Sequence, residues 1–237
     1  MARVQAGRRL LGSVDRLVAP SQHVVTLLER EGVPPGRISH VPYGVPRGEP
    51  GRRDRSGRRP LVLGYIGSIK RHKGLDELCQ AVHDLPARLR VRLEIHGDPE
   101  RDAAYGHYLR HRTANEPRIR FMGPFEPREL PDVLRRLDLL LVPSTWPETG
   151  PQVALEALAG GVPVLASRIG GLEEVVRPGV HGFLVPPGDP DELGAELRRV
   201  AEEPGVLDRL RWRPDEIPDE AACAERMDEA YRRCVGR

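Results

Sequence analysis

Residues 61–75, Leu61-Val62-Leu63-Gly64-Tyr65-Ile66-Gly67-Ser68-Ile69-Lys70-Arg71-His72-Lys73-Gly74-Leu75, read as an apolar strand, a glycine-bounded cationic loop and the opening of a helix. An apolar run without polar alternation describes a strand covered on both faces. The unit then recurs: helix 75–85, strand 91–96, helix 103–114, strand 118–122, helix 129–137, strand 139–142, helix 151–159 and strand 163–166. A strand over 182–185, a helix opened by Asp189-Pro190 and a last amphipathic helix over 221–233 extend the series. Strands alternating with helices call for an α/β fold, a Rossmann-like parallel sheet with helices on both faces. In such sheets a ligand sits beyond the carboxyl ends of the strands. The loops after Ile66, His96, Met122, Val142 and Ala166 are therefore where function is to be sought.

Upstream of this series the pattern is shorter. Strand 14–19, helix 22–31 with Ser21 as N-cap, and strand 37–41 closed by Pro42 form a piece too small to stand alone. Residues 46–59, rich in Pro, Gly and Arg and lacking periodic apolar positions, read as a linker. The expected organisation is 1–45 as a remnant of another domain, 46–59 as linker and 60–237 as the Rossmann-like domain.

Composition sets the limits. The 237 residues are 39% hydrophobic and 30% charged with a net charge of +2, the balance of an ordinary globular protein. Aromatic residues make up only 4%, too few for a base-stacking surface, so no nucleic-acid partner is expected. Cys79, Cys223 and Cys234 are odd in number and lack CxxC spacing, which argues against a zinc site or a disulfide framework. No apolar run approaches a membrane span and no leader pattern is evident. A cytoplasmic location without a transmembrane segment is expected, with peripheral membrane contact left open. All basic residues except Lys70 and Lys73 are arginine, a bias suggesting a GC-rich bacterial genome that makes those two lysines conspicuous.

Residues 67–74 form a cationic loop feeding a helix N-terminus, where orphan amides and the helix dipole favour an anion such as phosphate. A solvated basic turn is the alternative, and the Walker pattern is absent. The second notable stretch is Pro143-Ser144-Thr145-Trp146-Pro147-Glu148-Thr149-Gly150-Pro151-Gln152-Val153-Ala154-Leu155-Glu156-Ala157. Pro151 fits the first helical position, which puts Glu148 in the preceding loop and Glu156 on the second turn. An acid there can serve simply to complement the dipole. Yet Glu156 is flanked by Val153, Ala154, Leu155, Ala157, Leu158 and Ala159, so the helix looks buried and its one charge looks functional. Asp189-Pro190-Asp191 reads as an N-cap followed by Pro rather than a metal motif, and Asp98 reads as a turn residue. His72, His96 and His181 have no metal-ligand spacing.

Glu148, seven residues, Glu156 and then Ala157-Leu158-Ala159-Gly160-Gly161-Val162-Pro163-Val164 resemble the signature of the family-four retaining glycosyltransferases, the glycosyl transferases group 1. Residues 67–74 resemble that family's Gly-Arg-Leu, three residues, Lys-Gly loop. Gly170-Gly171-Leu172-Glu173-Glu174 resembles its Gly-Gly-x-x-Glu segment, and His181-Gly182-Phe183-Leu184-Val185 the strand that follows. The likeness spans residues 14–200. It implies a GT-B enzyme with two Rossmann-like domains, acceptor bound mainly to the first and a nucleoside diphosphate sugar to the second. It also implies roles: Lys73 on the donor diphosphate, Glu156 on the ribose hydroxyls, and Glu148 beside the donor sugar as the catalytic residue. The backbone at Gly150, Pro151 and Gln152, where Gly150 and Gln152 carry the N–H groups, and the amides of Gly170 and Gly171 would face the sugar and phosphates.

Three departures accompany the likeness. Ser68 stands where the family commonly has Arg, leaving Lys70 or Arg71 as candidate substitutes in the diphosphate clamp. Gly150-Pro151 stands where many members have Phe-Gly, and Tyr43-Gly44 replaces a common Asn-Gly. The expected function is retaining glycosyl transfer without metal or other cofactor, this chain supplying the donor-binding half. Its expected partners are the nucleotide sugar and an acceptor-side domain or subunit, since residues 1–45 cannot build one. A non-catalytic nucleotide-sugar-binding or interaction module is the alternative reading. A nucleotide-sugar epimerase is a weaker one that the glutamate pair disfavours.

Overall fold

The computed structural model describes residues 2–48, 59–203 and 205–235. Most of the expected linker, residues 49–58, lies outside them. The chain opens with α1 (Ala2–Ser13), β1 (Leu17–Ala19), α2 (Gln22–Arg30) and β2 (Ile38–His40). Next come β3 (Leu61–Ile66), α3 (Leu75–His83), β4 (Val91–His96), α4 (Ala103–Arg112), β5 (Ile119–Gly123), α5 (Leu130–Arg136) and β6 (Leu139–Val142). The remainder is α6 (Gln152–Ala159), β7 (Val164–Ser167), α7 (Leu172–Val175), β8 (Gly182–Val185), α8 (Pro190–Glu202) and α9 (Glu220–Val235). Among the described residues no helix is long and apolar enough to cross a membrane.

Six strands form a parallel sheet in the order β5-β4-β3-β6-β7-β8. The chain builds outward from β3 through β4 and β5, then returns to lay β6 on the other edge of β3. The crevice between β3 and β6 is therefore the switch point, where doubly wound sheets place ligands. Strand residues alternate between two cores, one on each face. Leu63, Tyr65, Leu93, Ile95, Leu139 and Leu141 pack with Leu78, Leu109 and Leu197 on the side of α3, α4 and α8. Val62, Leu140, Val142 and Val164 pack with Leu134, Leu155, Leu158 and Leu172 on the side of α5, α6 and α7. Asp138, 1% exposed, anchors the start of β6: Arg59 donates both NH groups to its two oxygens at 2.7 Å, and Val62 N donates at 2.8 Å. Cys79, Cys223 and Cys234 are free thiols, and burial pushes the Cys79 pKa up to about 12.

Residues 2–45 make a separate layer around the two-stranded parallel sheet of β1 and β2. Ser21 accepts from Val24 N at 3.3 Å as the N-cap of α2, as expected. Strand 14–19 shortens to β1, with residues 14–16 a link outside regular structure between it and α1, a helix not expected from the sequence. The layer is tied to the larger domain at three places. Gln22 N and His23 N each donate to the Glu174 carboxylate at 2.7 Å, Tyr43 packs on Gly150, and Val45 pairs with Asp219 ahead of α9. A cavity of about 430 Å³ lies between the two parts, with Pro20, His40, Tyr43, Glu174, Arg177 and Glu216 in its wall.

Candidate active site at the sheet switch point

The loops after β3 and β6 meet across the switch point. Thr145 N donates to His72 O at 2.9 Å. Gly74 has φ +72° and approaches Pro143 so closely that a Cβ would collide with its carbonyl oxygen, so this position takes glycine on both grounds. Tyr65 lies buried beneath the first loop and donates its hydroxyl to Ser68 O at 2.7 Å. Burial, with the nearby Glu148 charge, pushes the Tyr65 phenol up, which keeps it a neutral donor.

This arrangement brings Lys73 Nζ to 2.6 Å from Glu148 Oε1. Ser144, 1% exposed, donates to the same oxygen at 2.5 Å. Two donors on Oε1 fix the carboxylate and, among the described residues, leave Oε2 as its unengaged edge. The side chains of Lys73 and Glu148 are 25% and 19% exposed, so solvent screens the pair less than it would a surface salt bridge. The backbone of Glu148 is held from behind, where Gly171 N donates to Glu148 O at 2.7 Å and Gly170 pairs with Glu148 in a short parallel bridge.

One cavity of about 540 Å³ opens above these groups, and its wall includes Ser68, Lys73, Glu148, Gly150, Pro151, Gln152 and Glu156. Glu156 is half-buried, and burial pushes its carboxyl above the ordinary carboxylate range. No side-chain partner offsets that burial among the described residues. The helix N-terminus facing the cavity is that of α6, whose first turn carries no acid. At α3, the helix that residues 67–74 lead into, Asp76 and Glu77 occupy the first turn and complement its dipole from within. Pro151 is the N-cap of α6 rather than its first residue: Ala154 N donates to Pro151 O at 3.0 Å, so the helix starts at Gln152.

Seven of the residues singled out from sequence thus share one wall; Lys70, Gly170 and Gly171 do not. Lys70 is exposed on the loop. Arg71 turns away, its guanidinium 4.8 Å from the Tyr105 ring centre, 5.3 Å from that of Tyr108 and 3.7 Å from Asp76. Neither basic neighbour fills the place left by Ser68. Gly170 and Gly171 stand behind Glu148, with the Gly171 amide spent on its carbonyl. Sequence reasoning missed Ser144 and Tyr65, whose only signal was proximity to the two motifs. Asp189 caps α8 by accepting from Asp191 N at 3.1 Å and Glu192 N at 3.0 Å, and Asp98 caps a turn through Glu100 N at 2.9 Å, as expected.

The chain matches the family described as "Glycosyl transferases group 1" over residues 60–203. It is 33% identical over 228 residues to D-inositol 3-phosphate glycosyltransferase of Streptomyces bingchenggensis, covering 88% of this chain and 50% of that protein. The enzyme of the same name from Geodermatophilus obscurus is 35% identical over 218 residues, covering 84% and 48%. The chain spans about half the length of these curated relatives. Among solved structures, sucrose-phosphate synthase from Thermosynechococcus elongatus superposes with a TM-score of 0.83 at 25% identity, covering 99% of this chain and 62% of that one. Anabaena HepE in complex with UDP and glucose shares the fold, with a TM-score of 0.78 at 23% identity over 92% of this chain and 63% of that one. On these grounds the chain belongs to the glycosyl transferases group 1 family.

Proposed function

We propose that this chain is the donor-binding half of a retaining glycosyltransferase that takes its sugar from a nucleoside diphosphate sugar. The observation that carries the proposal is the single cavity at the sheet switch point, which joins Lys73, Glu148 and Glu156 to the acid-free N-terminus of α6. Glu156, half-buried and without a side-chain partner among the described residues, accepts hydrogen bonds from the ribose hydroxyls. Lys73 swings from Glu148 to the diphosphate and, with the positive end of the α6 dipole, stabilises the charge that develops on the leaving group. No metal is required in this scheme. Glu148, held by Ser144, presents its free edge to the donor sugar.

Activity requires an acceptor side. Val18 and Leu27 are 42% and 43% exposed on the layer of residues 2–45, and Leu10 is 64% exposed. Parallel strands are ordinarily covered on both faces, so this layer presents apolar surface suited to the acceptor-side half. Isothermal titration of the chain with UDP, GDP and ADP and their glucose esters tests the proposal. One nucleotide class should bind, with the loss in Lys73→Ala and Glu156→Gln. A parent chain that binds none of the six ligands would remove its basis.

A further inference from the structure

Gly150 separates the two cavities. It lines the one with Lys73, Glu148 and Glu156 and also the one between the domain and the layer of residues 2–45. A Cβ on Gly150 would sit 2.6 Å from Tyr43 Cδ2, nearer still to Cε2, and 3.3 Å from Pro20 Cβ. Gly150 is not among the positive-φ glycines, so its backbone could carry a side chain; the Tyr43 ring excludes one. These two positions are also two of the departures noted in the sequence. A ring is absent from position 150, and a ring from a segment more than a hundred residues away fills the adjoining space.

We propose that Tyr43 is a positioning residue for the Glu148–Pro151 turn, its ring packed on Gly150 while the Gly171 amide holds Glu148 O. Glu148 O is fixed from behind by Gly171 N. The next two residues include a glycine, the residue with the most backbone freedom to lose. The ring of Tyr43 closes off that freedom and fixes both the bearing of Glu148 and the entry of α6. Segment 1–45 thereby contributes to the donor site without entering it. The ligand side of this inference rests on the donor-binding reading; the backbone side does not.

The test is a double-mutant cycle with two readouts. In the ligand-free chain, Tyr43→Ala should raise amide hydrogen exchange about tenfold or more at Gln152 and Gly171, whose amides donate to Gly150 O and Glu148 O, while Tyr43→Phe should not. With the nucleotide class that binds, Tyr43→Ala should leave diphosphate affinity within about twofold of the parent and weaken the glucose ester severalfold, a split that general destabilisation would not produce. Gly150→Ala alone should weaken the glucose ester strongly. Combined with Tyr43→Ala it should weaken it by clearly less than the product of the single effects, because the new methyl occupies vacated space. Unchanged exchange in Tyr43→Ala, or multiplicative effects in the double variant, would overturn the proposal. If Tyr43→Ala loses its fold, Tyr43→Leu carries the same readouts. Failure of the parent to bind any nucleotide would sink the donor-binding reading, with the exchange results still deciding the role of Tyr43.

Discussion

Glu156→Gln separates the stability of the ligand-free protein from its affinity for ligand, because the same burial acts on both with opposite sign. The carboxylate is half-buried and burial raises its pKa, so the folded state holds the proton more tightly than the unfolded chain does. The protein then binds more protons folded than unfolded, and stability falls as pH rises through the raised folded pKa. At neutral pH the buried charge is a burden that Gln removes. The variant should melt at or above the parent temperature at pH 7, with the difference shrinking toward acidic pH. Binding moves the other way: a hydrogen bond to a charged acceptor is worth about 1.5–3 kcal/mol, so nucleoside diphosphate affinity should drop roughly tenfold to a hundredfold. Inorganic pyrophosphate, which has no ribose, should be nearly indifferent. Calorimetry at pH 7 with both ligands, beside melting curves at two pH values, measures each part. A variant that binds the nucleotide as tightly as the parent would refute the assignment of Glu156.

Lys73→Ala should weaken every diphosphate ligand, by a factor that narrows as salt is added. Glu148→Gln, by contrast, leaves Lys73 without the carboxylate that holds it at 2.6 Å, so nucleoside diphosphate should bind severalfold tighter; equal or weaker binding would show that the pair does not compete with ligand. Asp138→Ala takes the acceptor from the buried Val62 amide and should remove about 1–3 kcal/mol of stability, lowering Tm by on the order of 5 °C. A loss below about 1 kcal/mol in urea unfolding would contradict that account. Glu174→Gln should accelerate amide exchange at Gln22 and His23, whose protection comes from its carboxylate, and unchanged protection would show that the tie is not made in solution.

The sheet was legible because its strands are buried on both faces and so read as unbroken apolar runs. The expected spans 91–96, 139–142 and 182–185 coincide with β4, β6 and β8. α1 was illegible for the opposite reason: Gly7 and Gly12 lower its helix propensity, and Arg3, Arg8 and Arg9 interrupt its apolar stripe. The four residues of α7 are too few to show a helical period. Within the site, the chain motifs placed Lys73, Glu148 and Glu156 on the right loops and helix. The contact of Lys73 with Glu148 spans 75 residues and follows from the strand order, which no local pattern encodes. The same holds for Tyr43 and Gly150, each visible only as a departure until the fold set one on the other. Arg71 appeared able to stand in for the missing arginine until Tyr105 and Tyr108 drew it away.

An amide NMR titration with the nucleoside diphosphate that binds tests the central claim, that the switch-point cavity is the donor site. Shift changes should concentrate at residues 67–74, 148–153 and 156, and Lys73→Ala should abolish or sharply weaken them at matched ligand concentration. Changes centred instead on the cavity of His40, Arg177 and Glu216, with residues 67–74 silent, would contradict the account.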